Sequence, residues 1–499
     1  MIHAHSLGRG ARYYSERAAL AEDGNSSSFA ELEGRVARIA AKLKEREFKA
    51  GDRLALLLPN SPEYIELIYA CSWLGVIAVP INVRLSATEI DRVLVDAAPR
   101  GIIRDSSLAT PTARLPFEKV LDQDPLKLGD GILPDAEAVY DPDAVLALIY
   151  TSGTTGKAKG VMVTHANILA NIHHFNYWMR YTEKGAVYLH AAPLFHIADF
   201  PAMFAAPAFG AGQVTISKFS PENFCGTVER NRVSHTVLVP TMINLLTQFG
   251  DIKKYDLTSL AVLGYGGSPI APDLMRRAKE VLPNVSLVQV YGLSETGFLT
   301  GLQNSEHTAS HVLSCGRPCP GIDLAVADES GNTVERGQHG ELVARGANVM
   351  RGYWQNAEET GLAFRNGWFR TGDVGYQDAE GFFYILDRLK DMIVTGGENV
   401  YSGEVEGVLY THPAVREAAV FGIPDHKWGE LVMACVVLKT NRSVTSDELI
   451  AFCRQRLATY KIPRRVEFEA ADLPKSGSGK ILKRVLRERY WAHETREVS

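Results

Sequence analysis

Residues 53–80 read RLALLLPNSPEYIELIYACSWLGVIAVP. Two short runs, RLALLLP and VIAVP, apolar throughout after Arg53, flank a segment of helical character that closes at Gly75. A strand apolar along its whole length has no side for water, so it belongs in a parallel sheet covered by helices on both faces. The neighbouring sequence repeats the pattern. In FAELEGRVARIAAKLKERE (29–47), Leu32, Val36, Ile39 and Leu43 recur at helical spacing with charges opposite. In SATEIDRVLVDAA (86–98), Ser86 stands three residues before Glu89, a capping box that starts a helix. GAVYLHAAP, SHTVLVP and SLVQVYG continue the alternation.

From Gly340 the texture turns to hairpin-like β: GELVARG, then GFFYILDR after the turn DAEG. Beyond Lys390 come the strands EAAVFGI and VMACVVL, one amphipathic helix (SDELIAFCRQRLATY, 446–460) and a basic, glycine-rich tail. The predicted fold class is therefore α/β. A large N-terminal domain of helix-covered parallel sheets plus a β subdomain spans 1–389, and a small C-terminal α+β domain spans 390–499.

At 499 residues the chain exceeds one hydrophobic core. A net charge of −5 gives no electrostatic ground for nucleic acid, and no polybasic segment suggests anionic lipid. The N-terminus lacks an apolar secretory region, and no run approaches the roughly 18 apolar residues of a membrane span. A cytoplasmic protein is expected. Cys315 and Cys319 lie near His311, but no second ligand pair follows, so reduced thiols are read in preference to zinc or a disulfide.

The densest chemistry lies in YTSGTTGKAKGVMVTH (150–165). Glycines allow backbone N–H groups to turn inward, hydroxyls add neutral donors, and lysine adds a mobile charge: a phosphate-binding composition. It is not the P-loop of nucleotide hydrolases. Counted from Gly153, the sixth position is Ala158, and Lys159 is followed by Gly160. SGSGK in the tail fails too, with Pro474 in the place of the first glycine and Ile481 after the lysine.

The segment resembles the phosphate loop of the adenylate-forming superfamily, which holds acyl-CoA synthetases, peptide-synthetase adenylation domains and luciferases. Four further segments, in family order, resemble its motifs: VYGLSETG (290–297), GWFRTGDVGY (367–376), LDRLKDMIVTGGENVYSGEVE (386–406) and PKSGSGKILKR (474–484). The resemblance implies ATP and Mg²⁺, two half-reactions, and a small C-terminal domain that moves about a hinge at Lys390 between them. Thr151, Ser152, Gly153, Thr154, Thr155 and Lys159 would surround the β- and γ-phosphates. Gln289, Tyr291, Gly292 and Thr296 would belong to the ATP site, with Glu295 the metal ligand; Asp373 would meet the ribose, and Arg388 the ribose or a phosphate. Lys480 would be the adenylation lysine, and His196 would lie near the acyl carboxylate.

By the same resemblance, Gly396 and Gly397 would line a passage for the thiol arm of coenzyme A. Trp428, Arg84, Tyr460 and Arg464 would contact its nucleotide end. The acyl pocket would be bounded by Phe200, Val239, Gly266, Gly267, Ser268 and Leu293. Apart from Asp199 few charges border that region, and no aspartate or arginine stands ready for an amine or second carboxylate. An apolar monocarboxylic acid is expected, with fatty chains preferred to aryl acids. The reading is an ATP-dependent acyl-CoA synthetase. A free-standing enzyme that loads a carrier protein, and a non-catalytic nucleotide sensor, are the alternatives. It leaves room for a homodimer and for a lysine acetyltransferase acting on Lys480.

Overall fold

The computed structural model describes residues 2–22, 25–108, 117–121, 141–152, 158–181, 185–268, 270, 272–475 and 481–491. Gly153, Thr154, Thr155 and Lys480 lie outside the described residues, as does the side chain of Ser152. Among the described residues no helix is long and apolar enough to cross a membrane.

The chain forms two compact units, Met1–Leu324 with Ala344–Phe369, and Ala325–Val343 with Arg370–Ser499. The expected boundary at 389/390 thus falls inside the second unit. Strand pairing explains the difference: the strand that ends at Arg388 pairs with Asp373–Gln377, and Leu389 N donates to Gly372 O at 2.9 Å.

The decisive stretch folds as expected. Strands Arg53–Leu57 and Ile77–Pro80 are parallel neighbours, joined by the helix Pro62–Leu74. Ser61 caps the helix by accepting from Tyr64 N, Pro62 presets its first turn, and Gly75 ends it at φ 70°. They belong to a six-stranded sheet in the order Phe117–Leu121, Gly101–Asp105, Arg53–Leu57, Ile77–Pro80, Val145–Ser152, Ala158–Thr164. All its pairings are parallel except the last.

A second, nine-stranded sheet in this unit has a parallel centre in the order Ser286–Leu293, Val262–Gly266, His235–Leu238, Val187–His190, Gly212–Thr215, Ala18–Glu22. Antiparallel strands close both edges. Both predicted helices form on capping boxes, Phe29–Glu45 on Ser28 and Ala87–Ala97 on Ser86.

The second unit departs from expectation in its helices. Segment 446–460 is a short helix, Ser446–Arg454, followed by a 3-10 turn. Two helices were not foreseen: Ser402–Tyr410, a few residues after the glycine pair, and Lys483–Trp491 within the tail read as basic and glycine-rich. Val405 and Leu409 seat the first and Leu486 the second, all fully buried. The expected hairpin around DAEG is present, with Gln377 opposite Phe383.

Three histidines of the first unit, His165, His174 and His235, are buried, and burial pushes each from 6.5 down to about 4. Between these values the unfolded chain holds protons that the folded chain refuses, so stability falls as pH drops through that window. The loss is at most roughly 3 kcal/mol per histidine. Urea midpoints at pH 7 and 4.5 measure it, and equal midpoints would contradict the burial argument.

Candidate active site

In the first unit the phosphate-like segment is the two arms of a β-hairpin: Thr151 pairs with Lys159 and Ser152 with Ala158. This connectivity separates it from the P-loop, where the loop passes from a strand into a helix. The returning arm reaches its helix only at His165, capped by Thr164 in a box with Asn167.

Lys159 Nζ donates to Glu359 Oε2 at 2.6 Å and sits 5.2 Å from the centre of the Tyr353 ring. The Tyr353 hydroxyl donates to Glu295 Oε1 at 2.9 Å. Burial, then the Glu295 and Glu359 carboxylates, push the phenol up, so it stays a donor. The segment around Tyr353 is fixed by backbone bonds: Trp354 N to Gly160 O at 2.7 Å, Met162 N to Gly352 O at 2.9 Å, and Met350 N to Glu295 O at 2.7 Å.

Glu295 is a lone carboxylate. Among the described residues no group of three or more His, Cys, Asp or Glu side chains is placed to hold a metal. An oxygen ligand of this kind fits Mg²⁺ shared with substrate phosphates, as is usual for that ion. Cys315 and Cys319 are both buried, and Cys319 Sγ accepts from Trp178 Nε1 at 3.1 Å.

The turn that presents Glu295 is tightly built. Leu293 N donates to the Thr296 hydroxyl, which donates to Gly297 O at 3.0 Å. Thr296 is buried, its hydroxyl used within this turn. Asn171 Oδ1 accepts from Phe298 N at 3.0 Å, and Asn348 Nδ2 donates to Thr296 O at 2.9 Å. At Gly292 a Cβ would come within 1.7 Å of Gly297 O, so only glycine fits. Tyr291, beside it, is half-buried in the same strand.

The candidate acyl residues gather beyond the carboxyl ends of adjacent parallel strands, where open α/β sheets bind ligands. Val239 follows His235–Leu238, Gly266 ends Val262–Gly266 with Gly267 and Ser268 after it, Leu293 ends Ser286–Leu293, and His196 and Phe200 follow Val187–His190. Gly267 has φ +80°, and a Cβ there would lie 3.7 Å from Val239 Cγ1.

His196 Nδ1 accepts from Ala198 N at 3.2 Å, leaving Nε2 to carry the proton. Burial outweighs Asp199 and lowers its pKa, so the ring is neutral at pH 7. Asp199 is not a pocket charge. Fully buried, it accepts from the Tyr188 hydroxyl and from His190 Nδ1 at 3.0 Å. The Tyr265 hydroxyl lies 3.2 Å from Gln289 Oε1 and 2.7 Å from His307 Nε2, whose Nδ1 donates to Gln303 O. Arg84 is exposed, its N–H donating to Asn82 Oδ1.

In the second unit Asp373 faces Arg388 across a hairpin, Arg388 Nε donating to Asp373 Oδ1 at 2.6 Å. The carboxylate is buried and the guanidinium one-third exposed. Lys390 O accepts from Arg487 Nη1 at 3.2 Å.

Gly396 and Gly397, at φ 60° and 82°, form the two-residue turn between Ile393–Thr395 and Glu398–Val400. The Trp428 ring covers Gly396 so closely that a Cβ would stand 2.7 Å from Cε3. Arg464 and Lys427 lie over that ring at 5.5 and 4.9 Å. Tyr460, partly exposed, carries Lys461 over its face at 5.7 Å.

Sequence reasoning missed Tyr353, Glu359, Asn171, Asn348 and His307. None sits in a glycine-rich or charged motif, and each reaches its partner through the tertiary fold.

The comparisons with known proteins show the family of the chain. The chain matches the family described as AMP-binding enzyme over residues 7–354, and the AMP-binding enzyme C-terminal domain over 404–480. It therefore belongs to the AMP-binding, adenylate-forming enzymes. The feruloyl-CoA synthase of Amycolatopsis sp is 38% identical over 97% of this chain and 98% of its own. The long-chain-fatty-acid–CoA ligase FadD13 of Mycobacterium tuberculosis is 36% identical over 93% of each. Among solved structures, the o-succinylbenzoate CoA synthetase of Bacillus subtilis with its acyl-adenylate intermediate superposes with TM-score 0.86 at 33% identity, covering 96% of this chain and 97% of that one. The same enzyme with ATP and magnesium gives 0.84 at 32%, covering 97% and 98%. The interval between the two family matches, 355–403, contains both the edge of the second compact unit and the expected hinge.

Proposed function

We propose that this chain is an ATP-dependent acyl-CoA synthetase acting on an apolar monocarboxylic acid, with aryl acids preferred. A carboxylate attacks the α-phosphate of ATP, expelling pyrophosphate and forming an acyl-adenylate. The thiol of coenzyme A then attacks the activated carbonyl and expels AMP. The observation that carries the reading is the register Tyr265–Gln289 and Gly266–Val290. It sets the candidate acyl wall and the adenine motif on neighbouring strand ends, so one molecule can span them as acyl-AMP.

Each residue has a stated task in this proposal. Thr151, Ser152, Gly153, Thr154, Thr155 and Lys159 hold the departing pyrophosphate. Gln289, Tyr291, Gly292 and Thr296 shape the nucleotide site, Asp373 accepts from the ribose hydroxyls, and Arg388 orients Asp373 through their ion pair. Glu295 would hold Mg²⁺, which when bound offsets the repulsion between carboxylate and phosphates. Neutral His196, its Nε2–H free to donate, would orient the acyl carboxylate. Phe200, Val239, Gly266, Gly267, Ser268 and Leu293 would enclose the acyl group.

Lys480 bridges the two anions of the first half-reaction. Movement about Lys390 then brings Gly396 and Gly397 to the thiol arm. Trp428, Arg84, Tyr460 and Arg464 serve the nucleotide end of CoA. Cytoplasmic location, a homodimer and inactivation by acetylation of Lys480 complete the proposal.

The sequence alone favoured fatty chains. Two of the similar enzymes carry aromatic acyl groups in their names, feruloyl and succinylbenzoyl, and this shifts the expectation to aryl acids. A panel of fatty and aryl acids with ATP, assayed with and without CoA, tests it. The expected result is acyl-CoA formation fastest with an aryl acid and dependent on all three substrates. AMP release that ignores CoA would favour carrier-protein loading, and no turnover with any acid would favour a sensor.

A further inference from the structure

Lys159 and Glu295 come from different motifs, yet one side chain touches both. The Tyr353 ring lies under the Lys159 ammonium at 5.2 Å, and its hydroxyl donates to Glu295 Oε1 at 2.9 Å. Glu359 holds the same ammonium at 2.6 Å, with both side chains mostly buried. Tyr353 is itself fixed at the backbone: its N–H donates to the Thr360 hydroxyl at 2.9 Å, and it forms a bridge to Val161 on the hairpin arm that carries Lys159. Glu359 is placed by the first turn of the helix Ala357–Ala363, where its N–H donates to Asn356 Oδ1.

We propose that Tyr353 and Glu359 are positioning residues for adenylation: Tyr353 aims the Glu295 carboxylate at the metal, and Glu359 steadies Lys159 over the Tyr353 ring for the phosphates. This rests on the acyl-CoA synthetase reading above. The physical reason is the cost of an unsteered carboxylate beside an ammonium. Left free, Glu295 and Lys159 would each lose orientation on every cycle, and Lys159 would attract Glu295 once the phosphates leave. A phenol between them serves one with its edge and the other with its face, keeping the positive and negative groups apart.

The test is acid-dependent pyrophosphate exchange, titrated with Mg²⁺ at fixed saturating ATP and acid, and separately with ATP and with the acid. Tyr353→Phe keeps the ring and deletes the hydroxyl. It is expected to raise the Mg²⁺ concentration for half-maximal exchange about tenfold, the loss of one hydrogen bond to a charged group. The KM for the acid and the thermal midpoint should stay as in the parent. Glu359→Gln should instead raise the KM for ATP about threefold and leave the Mg²⁺ requirement alone. Unchanged Mg²⁺ dependence in folded Tyr353→Phe, or a Glu359→Gln protein that shifts the Mg²⁺ midpoint and not the ATP KM, overturns the assignment. Absence of acid-dependent exchange in the parent protein overturns the activity reading itself, whatever the variants do.

Discussion

A Lys480→Ala protein is expected to lose acid-dependent pyrophosphate exchange by roughly 10²–10³-fold, the usual cost of removing a donor aimed at developing charge. Lys480 closes the motif PKSGSGK. Its proposed task belongs to the first half-reaction only, where a carboxylate and a phosphate must approach within bonding distance. The second half-reaction needs no such bridge, so acyl-adenylate supplied directly should still pass to CoA at a rate within several-fold of the parent. Unfolding midpoints should not change. Full exchange activity in the variant would overturn both the assignment and the idea that acetylation at this position silences the enzyme.

Three residues on, the opposite result is expected. Lys483 Nζ lies 2.7 Å from Glu406 Oε1 and donates to the Ser402 hydroxyl at 2.6 Å, with both charged side chains largely buried. Burial works against its charge, but the Glu406 and Asp387 carboxylates outweigh that and hold its pKa above the ordinary lysine value. Ser402 N–H donates to Asp387, so one buried network joins the strand before Lys390, the helix Ser402–Tyr410 and the helix Lys483–Trp491. Lys483→Met leaves Glu406 buried without its partner, a loss of about 3–5 kcal/mol. Urea unfolding of the second unit reads it. Adding Glu406→Gln should restore a good part, because the carboxylate in direct contact with Lys483 is then neutral, leaving Asp387 with its Ser402 N–H bond. A double variant as unstable as the single one would show that packing, and not the charge pair, is what Lys483 contributes.

These two lysines show what a sequence displays and what it hides. Both stand in one basic stretch, and composition alone reads them alike. Lys480 was singled out because its motif is a fixed string. Lys483 was not, because its partner Glu406 is 77 positions away and meets it only when two unforeseen helices form. The same division runs through the first unit. The strand–helix–strand reading of 53–80 held because apolar runs, Pro62 and Gly75 are local signals. The segment 150–165 was singled out by its phosphate-binding composition, whereas its antiparallel pairing and its link to Tyr353 depend on register and tertiary fold. The orientation of Asp199 was hidden for a related reason: only the fold turns this charge inward to Tyr188 and His190.

The six cysteines have a practical consequence. All are buried, and burial pushes the thiols of Cys71, Cys225, Cys319 and Cys435 up to about 12 and that of Cys453 to about 11. At neutral pH almost none of these sulfurs is a thiolate, the form that attacks disulfide reagents. In a colorimetric titration with such a reagent the folded protein should therefore be silent. Every sulfur that reports comes from unconsumed coenzyme A, and turnover can be followed by the disappearance of colour without first blocking the enzyme.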